Sequence, residues 1–202
     1  MARGRSGARC IGAVGAQAGR VGFAAVEALQ ASRGATVWLT GLPAAGKTSI
    51  AQVVERRLRE KRRPVLWLDG DELRRGLSRD LGFAAADRTE NVRRAGEVAC
   101  LVAEAGVVAV VSLISPYAAD RAAVRSRHEE LGVAFTEVWV STPAEVCEGR
   151  DPKGLWGRAR AGELPGFTGV DAPYEAPEAP ELVVGPWQTV DDAAAEVLRA
   201  LA

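Results

Sequence analysis

Five short apolar runs punctuate the chain from Gly34 onward, and between them apolar residues recur at a different spacing. The runs are ATVWLT (35–40), PVLWLD (64–69), VVAVVSLI (107–114), FTEVWV (135–140) and a weaker ELVV (181–184). The first four are hydrophobic at nearly every position, the pattern of strands covered on both faces in a parallel sheet. Between the runs, Ile50, Val53, Val54 and Leu58 repeat every three or four residues, as do Val92, Ala95, Ala99 and Val102. That spacing lines one face of a helix. Ala122, Val124 and Leu131 follow it less cleanly. The closing DDAAAEVLRALA reads as a helix with Asp191 or Asp192 near its positive end. Alternating strands and helices predict an α/β fold: a parallel β-sheet of about five strands flanked by helices on both faces.

Two stretches fall outside this rhythm. Residues 151–180 are rich in Gly, Pro and charge without periodicity, and a loop that long inside a domain is usually functional. A lid over about 151–172 is expected there. Residues 1–33 are rich in Ala, Gly and Arg, with five Arg against one Glu. Their GAVGAQAGRVG (12–22) lacks a preceding strand and the G-x-G-x-x-G spacing, so it reads as low-complexity sequence. A transit peptide has a similar composition, but a flexible tail is the preferred reading, followed by one domain over 34–202.

Bulk composition changes this picture little. Hydrophobic residues make up 48% and charged residues 26% of 202 positions, which is ordinary for one globular domain. The 26 basic side chains balance 26 acidic ones, so nothing in the total charge calls for nucleic acid or a membrane surface. Any basic patch for an anionic ligand must be local. Cys10, Cys100 and Cys147 are scattered and odd in number, against a disulfide framework or zinc site. With no uncharged apolar run of bilayer length, these features point to a reducing, cytoplasmic setting.

Candidate chemistry begins at GLPAAGKTS, Gly41 to Ser49. It fits G-x-x-x-x-G-K-[ST] and sits between a predicted strand and a predicted helix, the context this motif requires. Gly41 and Gly46 let the backbone over Leu42, Pro43, Ala44 and Ala45 turn inward, so that the N–H groups there, which Pro43 lacks, face an anion. Lys47 reaches the outer phosphates, Thr48 offers a hydroxyl to Mg²⁺, and the helix N-terminus adds its dipole. Ser49 repeats the hydroxyl. The loop therefore implies a P-loop NTPase-type fold that binds ATP.

The acceptor side is less explicit. Asp69 and Asp71 end the second run, where ligands of open α/β sheets collect. A carboxylate there orients or deprotonates a hydroxyl, holds Mg²⁺ through water, or merely caps the next helix. Arg74, one helical turn after Asp71, would by default be a solvated arginine. Phe83 and Phe167 stand in glycine-containing polar segments, as loop anchors or as rings to stack a flat base. His128 falls in the charged DRAAVRSRHEELG and is expected to be solvated, while Trp38 and Trp67 read as core.

Together the glycine loop, LDGDELRRGLSRDLGF (68–83), DRTENVRR (87–94), SLISPYAADR (112–121) and RDPKGLWGRARAGELPGFTGVDAPYE (150–175) resemble adenylylsulfate (APS) kinases. The likeness runs from about Gly34 to the C-terminus, and its long motifs are far more specific than the loop alone. It implies transfer of the ATP γ-phosphate to the ribose 3′-hydroxyl of adenosine 5′-phosphosulfate, with Mg²⁺. It further implies Asp71 as hydroxyl activator or Mg²⁺ positioner, and Arg74, Arg88, Asn91, Ile114, Ser115 and Lys153 around the substrate. Phe83 and Phe167 would sandwich its adenine. Arg150 would contact the nucleotide. The default solvated reading stays in place for Arg75, Arg93 and Arg94. The family's phosphoserine candidate matches Ser115, but direct in-line transfer needs no covalent step. A homodimer and association with ATP sulfurylase are also implied. Another P-loop small-molecule kinase and a nucleotide-sensing subunit of a sulfate-activating complex remain alternatives.

Overall fold

A computed structural model describes residues 34–201. The strand Ala35–Thr40 (β1) is buried along its whole length and lies at the centre of a five-stranded sheet. Val65–Asp69 (β2), Val108–Ser112 (β3), Ala134–Val140 (β4) and Leu182–Val184 (β5) complete it in the order β2-β3-β1-β4-β5, every pairing parallel. Ala35 stands opposite both Val108 and Ala134, so β1 is in register with a neighbour on each side. Helices Lys47–Glu60 (α1), Gly70–Arg75 (α2), Ala85–Glu104 (α3), Ala118–Glu130 (α4), Ala144–Arg150 (α5), Leu155–Arg160 (α6) and Val190–Ala200 (α7) connect and follow the strands. Among the described residues none is long and apolar enough to cross a membrane.

Alternation along β1 divides the core. Val37 and Leu39 face a cluster with Ile50, Val54 and Leu58 of α1 and Val197 of α7. Trp38 faces the opposite cluster, with Val92, Ala95 and Ala99 of α3 and Val124 of α4. Each such large apolar side chain contributes about 1.5–3 kcal/mol by burial. Exposed ion pairs such as Arg75–Glu72 and Arg93–Glu90 contribute under about 1 kcal/mol each. The two-faced sheet therefore dominates stability.

Four expectations need correction. PVLWLD is not covered on both faces: β2 is an edge strand, and Leu66 is 42% exposed. Its run matches that of β1, but pairing on one side only leaves it half open. The third run stops short, because Leu113 to Ser115 leave the sheet. The segment after Arg150 is not featureless, since six residues form α6; so short a helix has too few turns to show a period. His128 is fully buried, not solvated. Its Nδ1 meets the Val124 carbonyl at 2.8 Å, its Nε2 meets Thr36 Oγ1 at 2.8 Å, and its ring lies 4.8 Å from that of Phe135. Burial pushes its pKa down. It is a satisfied core histidine in a helix that otherwise looks polar. The proposed tail over 1–33 lies outside the described residues.

Candidate active site

All five strands are parallel, so their carboxyl ends lie along one edge, and the loops there assemble the site. At the end of β1, Gly41 has φ 150° and Gly46 φ 111°, angles that side chains rarely tolerate. A Cβ on Gly41 would sit 2.6 Å from the Val140 carbonyl, so the turn also presses against β4. The loop is braced from behind. Thr142 Oγ1 and Arg150 Nη1 donate to the Ala45 carbonyl at 2.9 and 3.1 Å, and Trp156 Nε1 donates to that of Pro43 at 3.2 Å.

Lys47 opens α1 with its side chain folded under the loop. Its Nζ donates to the carbonyls of Gly41 (2.9 Å) and Leu42 (2.7 Å) and is almost wholly buried. Desolvation lowers its pKa to about 8, against the opposing pull of Cys147, Asp69 and Asp71. Thr48 and Ser49 are exposed on the first turn of α1. Thr48 Oγ1 donates to Asp69 Oδ2 at 3.3 Å, and that oxygen also accepts from Ser112 Oγ at 2.9 Å. Ser112 in turn accepts from Trp67 Nε1 at 2.9 Å. The other oxygen, Oδ1, caps α2 through the Asp71 N–H at 3.0 Å. Asp69 thus serves as cap and site residue together, which two strand-end acids in sequence do not reveal.

Asp71 is exposed and pairs with Lys153 from the segment after α5. Among the described residues no three His, Cys, Asp or Glu side chains gather as a metal cage. Mg²⁺ needs no such cage, since one or two carboxylates plus substrate phosphates suffice. Thr48 and Asp69 at the mouth of the loop, with Asp71 two residues on, fit that requirement.

Beside this lies a second cluster. Phe83 is 62% exposed, with the Arg74 guanidinium 4.4 Å from its ring centre. Arg74 Nη1 donates to the carbonyls of Gly82 (2.8 Å) and Leu81 (3.3 Å). Arg88 donates to Phe83 O, Thr168 Oγ1 and Gly166 O, and so joins the Phe83 loop to the turn carrying Phe167. Phe167 packs edge-on against buried Trp156, ring centres 5.3 Å apart. Asp171 accepts from the Gly166 and Phe167 N–H groups at 2.7 and 2.6 Å, which holds that turn. Asn91 is buried on α3, and its Oδ1 has no partner among the described residues.

Ser115 stands apart from these residues' chemistry. It is buried with φ 39°, accepts from Trp38 Nε1 at 3.1 Å and donates to Thr40 Oγ1 at 2.9 Å. Thr40 Oγ1 is also 2.8 Å from the Ile114 carbonyl, to which it donates. Among the described residues no His or Lys partners the Ser115 hydroxyl, so none of its neighbours here activates it as a nucleophile. Arg75 and Arg93 pair with Glu72 and Glu90 on the surface, as the default reading expects, whereas Arg94 is half-buried and held by Asp80, Glu90 and the Leu77 carbonyl. Sequence reasoning missed Thr142, Ser112 and Trp156. Only Trp156, a large apolar residue in a polar segment, carried a signal.

A family model for adenylylsulphate kinase matches residues 33–185. The bifunctional enzyme CysN/CysC of Mycobacterium tuberculosis is 50% identical over 169 residues, covering 84% of this chain and 28% of that protein. The bifunctional enzyme NodQ of Azospirillum brasilense is 52% identical over 169 residues, again 84% of this chain and 27% of its own length. The chain thus spans less than a third of these curated relatives. Among solved structures, the M. tuberculosis APS kinase CysC in complex with AMPPNP and APS superposes with a TM-score of 0.82 at 50% identity. That match covers 84% of this chain and 98% of the other. A hexameric APS kinase from Thiobacillus denitrificans follows at 0.65 and 34% identity, over 84% of this chain and 29% of that one. A gluconokinase from Sinorhizobium meliloti, 17% identical at a TM-score of 0.52, shares the fold alone. With a braced phosphate loop, a paired-acid turn and a family match over most of its length, this chain belongs to the adenylylsulphate kinase family.

Proposed function

We propose that this protein transfers the γ-phosphate of ATP to the ribose 3′-hydroxyl of adenosine 5′-phosphosulfate, giving ADP and 3′-phosphoadenosine 5′-phosphosulfate. One observation carries the reading. Within the three residues Asp69–Gly70–Asp71, the first acid bonds the loop's Thr48 and the second meets Lys153 of the lid segment. Donor grip and acceptor chemistry therefore share one turn at the end of β2.

The loop N–H groups of 41–49 other than Pro43, together with Lys47, bind the β- and γ-phosphates, and Arg150, at the loop's back, adds positive charge on the nucleotide side. Asp71 accepts the 3′-hydroxyl proton as the hydroxyl oxygen bonds to the γ-phosphorus and the bond to ADP breaks. Mg²⁺, held by Thr48 and the carboxylates of this turn, would neutralise charge on the β- and γ-phosphates. On the acceptor side, Arg74, Arg88 and Lys153 offer charge to the phosphosulfate, while the unpartnered Asn91 Oδ1 suits a ligand donor. Ile114 and Ser115 form its wall through their backbone, and Phe83 and Phe167 take the adenine. A homodimer that associates with an ATP sulfurylase in the cytoplasm completes the proposal. The fusion named in CysN/CysC relatives and the buried free thiols Cys100 and Cys147 support these last points.

Coupled ADP release with adenylylsulfate is the test. Wild type turns over, while Lys47→Ala and Asp71→Ala each lose at least about a hundredfold in kcat/KM. Absence of adenylylsulfate-dependent turnover in folded wild type overturns the reading. Turnover with a different hydroxyl acceptor instead would identify another small-molecule kinase. A sensing subunit is disfavoured, because Lys47, Asp69 and Asp71 are all retained.

A further inference from the structure

Arg88 has every mark of a brace. It is buried on the first turn of α3, and three of its five guanidinium N–H groups are spent on protein acceptors. Nε donates to the Phe83 carbonyl at 2.9 Å, Nη2 to the Gly166 carbonyl at 2.7 Å and Nη1 to Thr168 Oγ1 at 3.0 Å. The acceptors lie 5 residues before Arg88 and 78 and 80 residues after it. One planar fork therefore spans two loops that no other hydrogen bond among the described residues connects. Two of these acceptors flank Phe167 in sequence, and the third is the carbonyl of Phe83 itself. The fork's rigidity fixes the separation of the two backbones that carry the rings. On their other sides Phe83 leans on Arg74 and Phe167 on Trp156, so among the described residues Arg88 alone hydrogen-bonds both segments that carry the rings.

We propose that Arg88 is a positioning residue for the acceptor's adenine: it sets the gap between Phe83 and Phe167 into which the base slides. This role is separate from any contact its two remaining N–H groups make with the phosphosulfate. It rests on the acceptor reading given above.

The two roles separate with a ligand that has the base but no charge. Calorimetric or competition binding of adenosine and of adenylylsulfate is measured for wild type, Arg88→Ala, Arg88→Lys and Thr168→Val, each checked for a native melting transition. If Arg88 braces the rings, Arg88→Ala weakens adenosine and adenylylsulfate by the same factor, about tenfold, the scale of one lost stacking contact. Arg88→Lys, which keeps charge but not the fork, restores neither. Thr168→Val, which leaves the guanidinium intact, weakens both by a smaller common factor. Unchanged adenosine binding in Arg88→Ala and in Thr168→Val overturns the proposal, and so does rescue of adenosine binding by lysine. Should Arg88→Ala fail to fold, the lysine and valine variants decide alone. Adenylylsulfate turnover by wild type is read separately, so failure of the kinase reading and failure of the brace are told apart.

Discussion

Lys47 shows how one position can be legible in kind and hidden in state. Its place after Gly46 marks it as the expected phosphate lysine, but the spacing does not say that its ammonium rests on the loop's own carbonyls, stripped of water. That desolvation lowers its pKa to about 8 from the ordinary lysine value of 10.5. A lowered lysine pKa means the unfolded chain holds more protons, so this group adds stability as pH rises through that window. Phosphate binding requires the opposite, the charged form. Affinity for Mg·ATP is accordingly expected to be flat below pH 8 and to fall as pH rises from 8 towards 10, with proton uptake on binding. Calorimetry in buffers of different ionisation enthalpy checks this, and Lys47→Met should remove both the slope and the uptake. An equal slope in that variant would assign the titration elsewhere. His128 is the contrary case: its neighbours in sequence are charged, and partners such as Thr36, 92 residues away, reveal a buried site.

At the scale of elements, α6 is the informative one. A six-residue helix has little intrinsic stability, since nucleation is costly. This one is held at its start by Asp151, whose carboxylate accepts from the Trp156 and Gly157 N–H groups at 3.1 and 3.0 Å. Trp156 then anchors it against Pro43 and Phe167. The segment, proposed above as a lid, is fixed on its α6 side, with Lys153 proposed to exchange Asp71 for a substrate. Amide hydrogen exchange over 151–172 should slow when nucleotide and adenylylsulfate bind together. Asp151→Ala should speed exchange at 155–160 several-fold in the free protein without changing exchange in β1. Equal protection with and without ligands would count against closure. The break in periodicity here was readable from composition; the helix was not, because capping by Asp151 and packing of Trp156 replace the periodicity that a longer helix displays.

Across the whole molecule, the buried pair Arg121–Glu137 ties α4 to β4. Arg121 Nε meets Glu137 Oε1 at 2.7 Å, and its other nitrogens donate to the carbonyls of Ser115 and Glu175 at 2.7 Å each. Both side chains are more than nine-tenths buried, and Glu137 keeps one further partner in Arg125 at 3.2 Å. Removing Arg121 strands a carboxylate and two carbonyls, for a loss of about 3 kcal/mol. Arg121→Ala should lower the urea midpoint of unfolding with little change in slope, whereas Arg75→Ala, on the surface, should leave it unmoved. A midpoint within error of wild type would show that Arg125 alone satisfies Glu137.

Local chemistry determined what could be read without coordinates. The strand runs, the helical spacing and the glycine loop are short-range patterns, imposed by backbone geometry on residues near each other in the chain, and they specified an α/β domain with a phosphate loop. The order β2-β3-β1-β4-β5 was not among them. That order decides that PVLWLD lies half open at an edge while the similar ATVWLT is sealed at the centre. Nor could sequence separate the two tasks of Asp69, or show Arg88 spanning residues 83 and 166. Burial and hydrogen bonding between distant segments are set by how the sheet and its loops pack, and a side chain's role follows from the partners that packing brings to it.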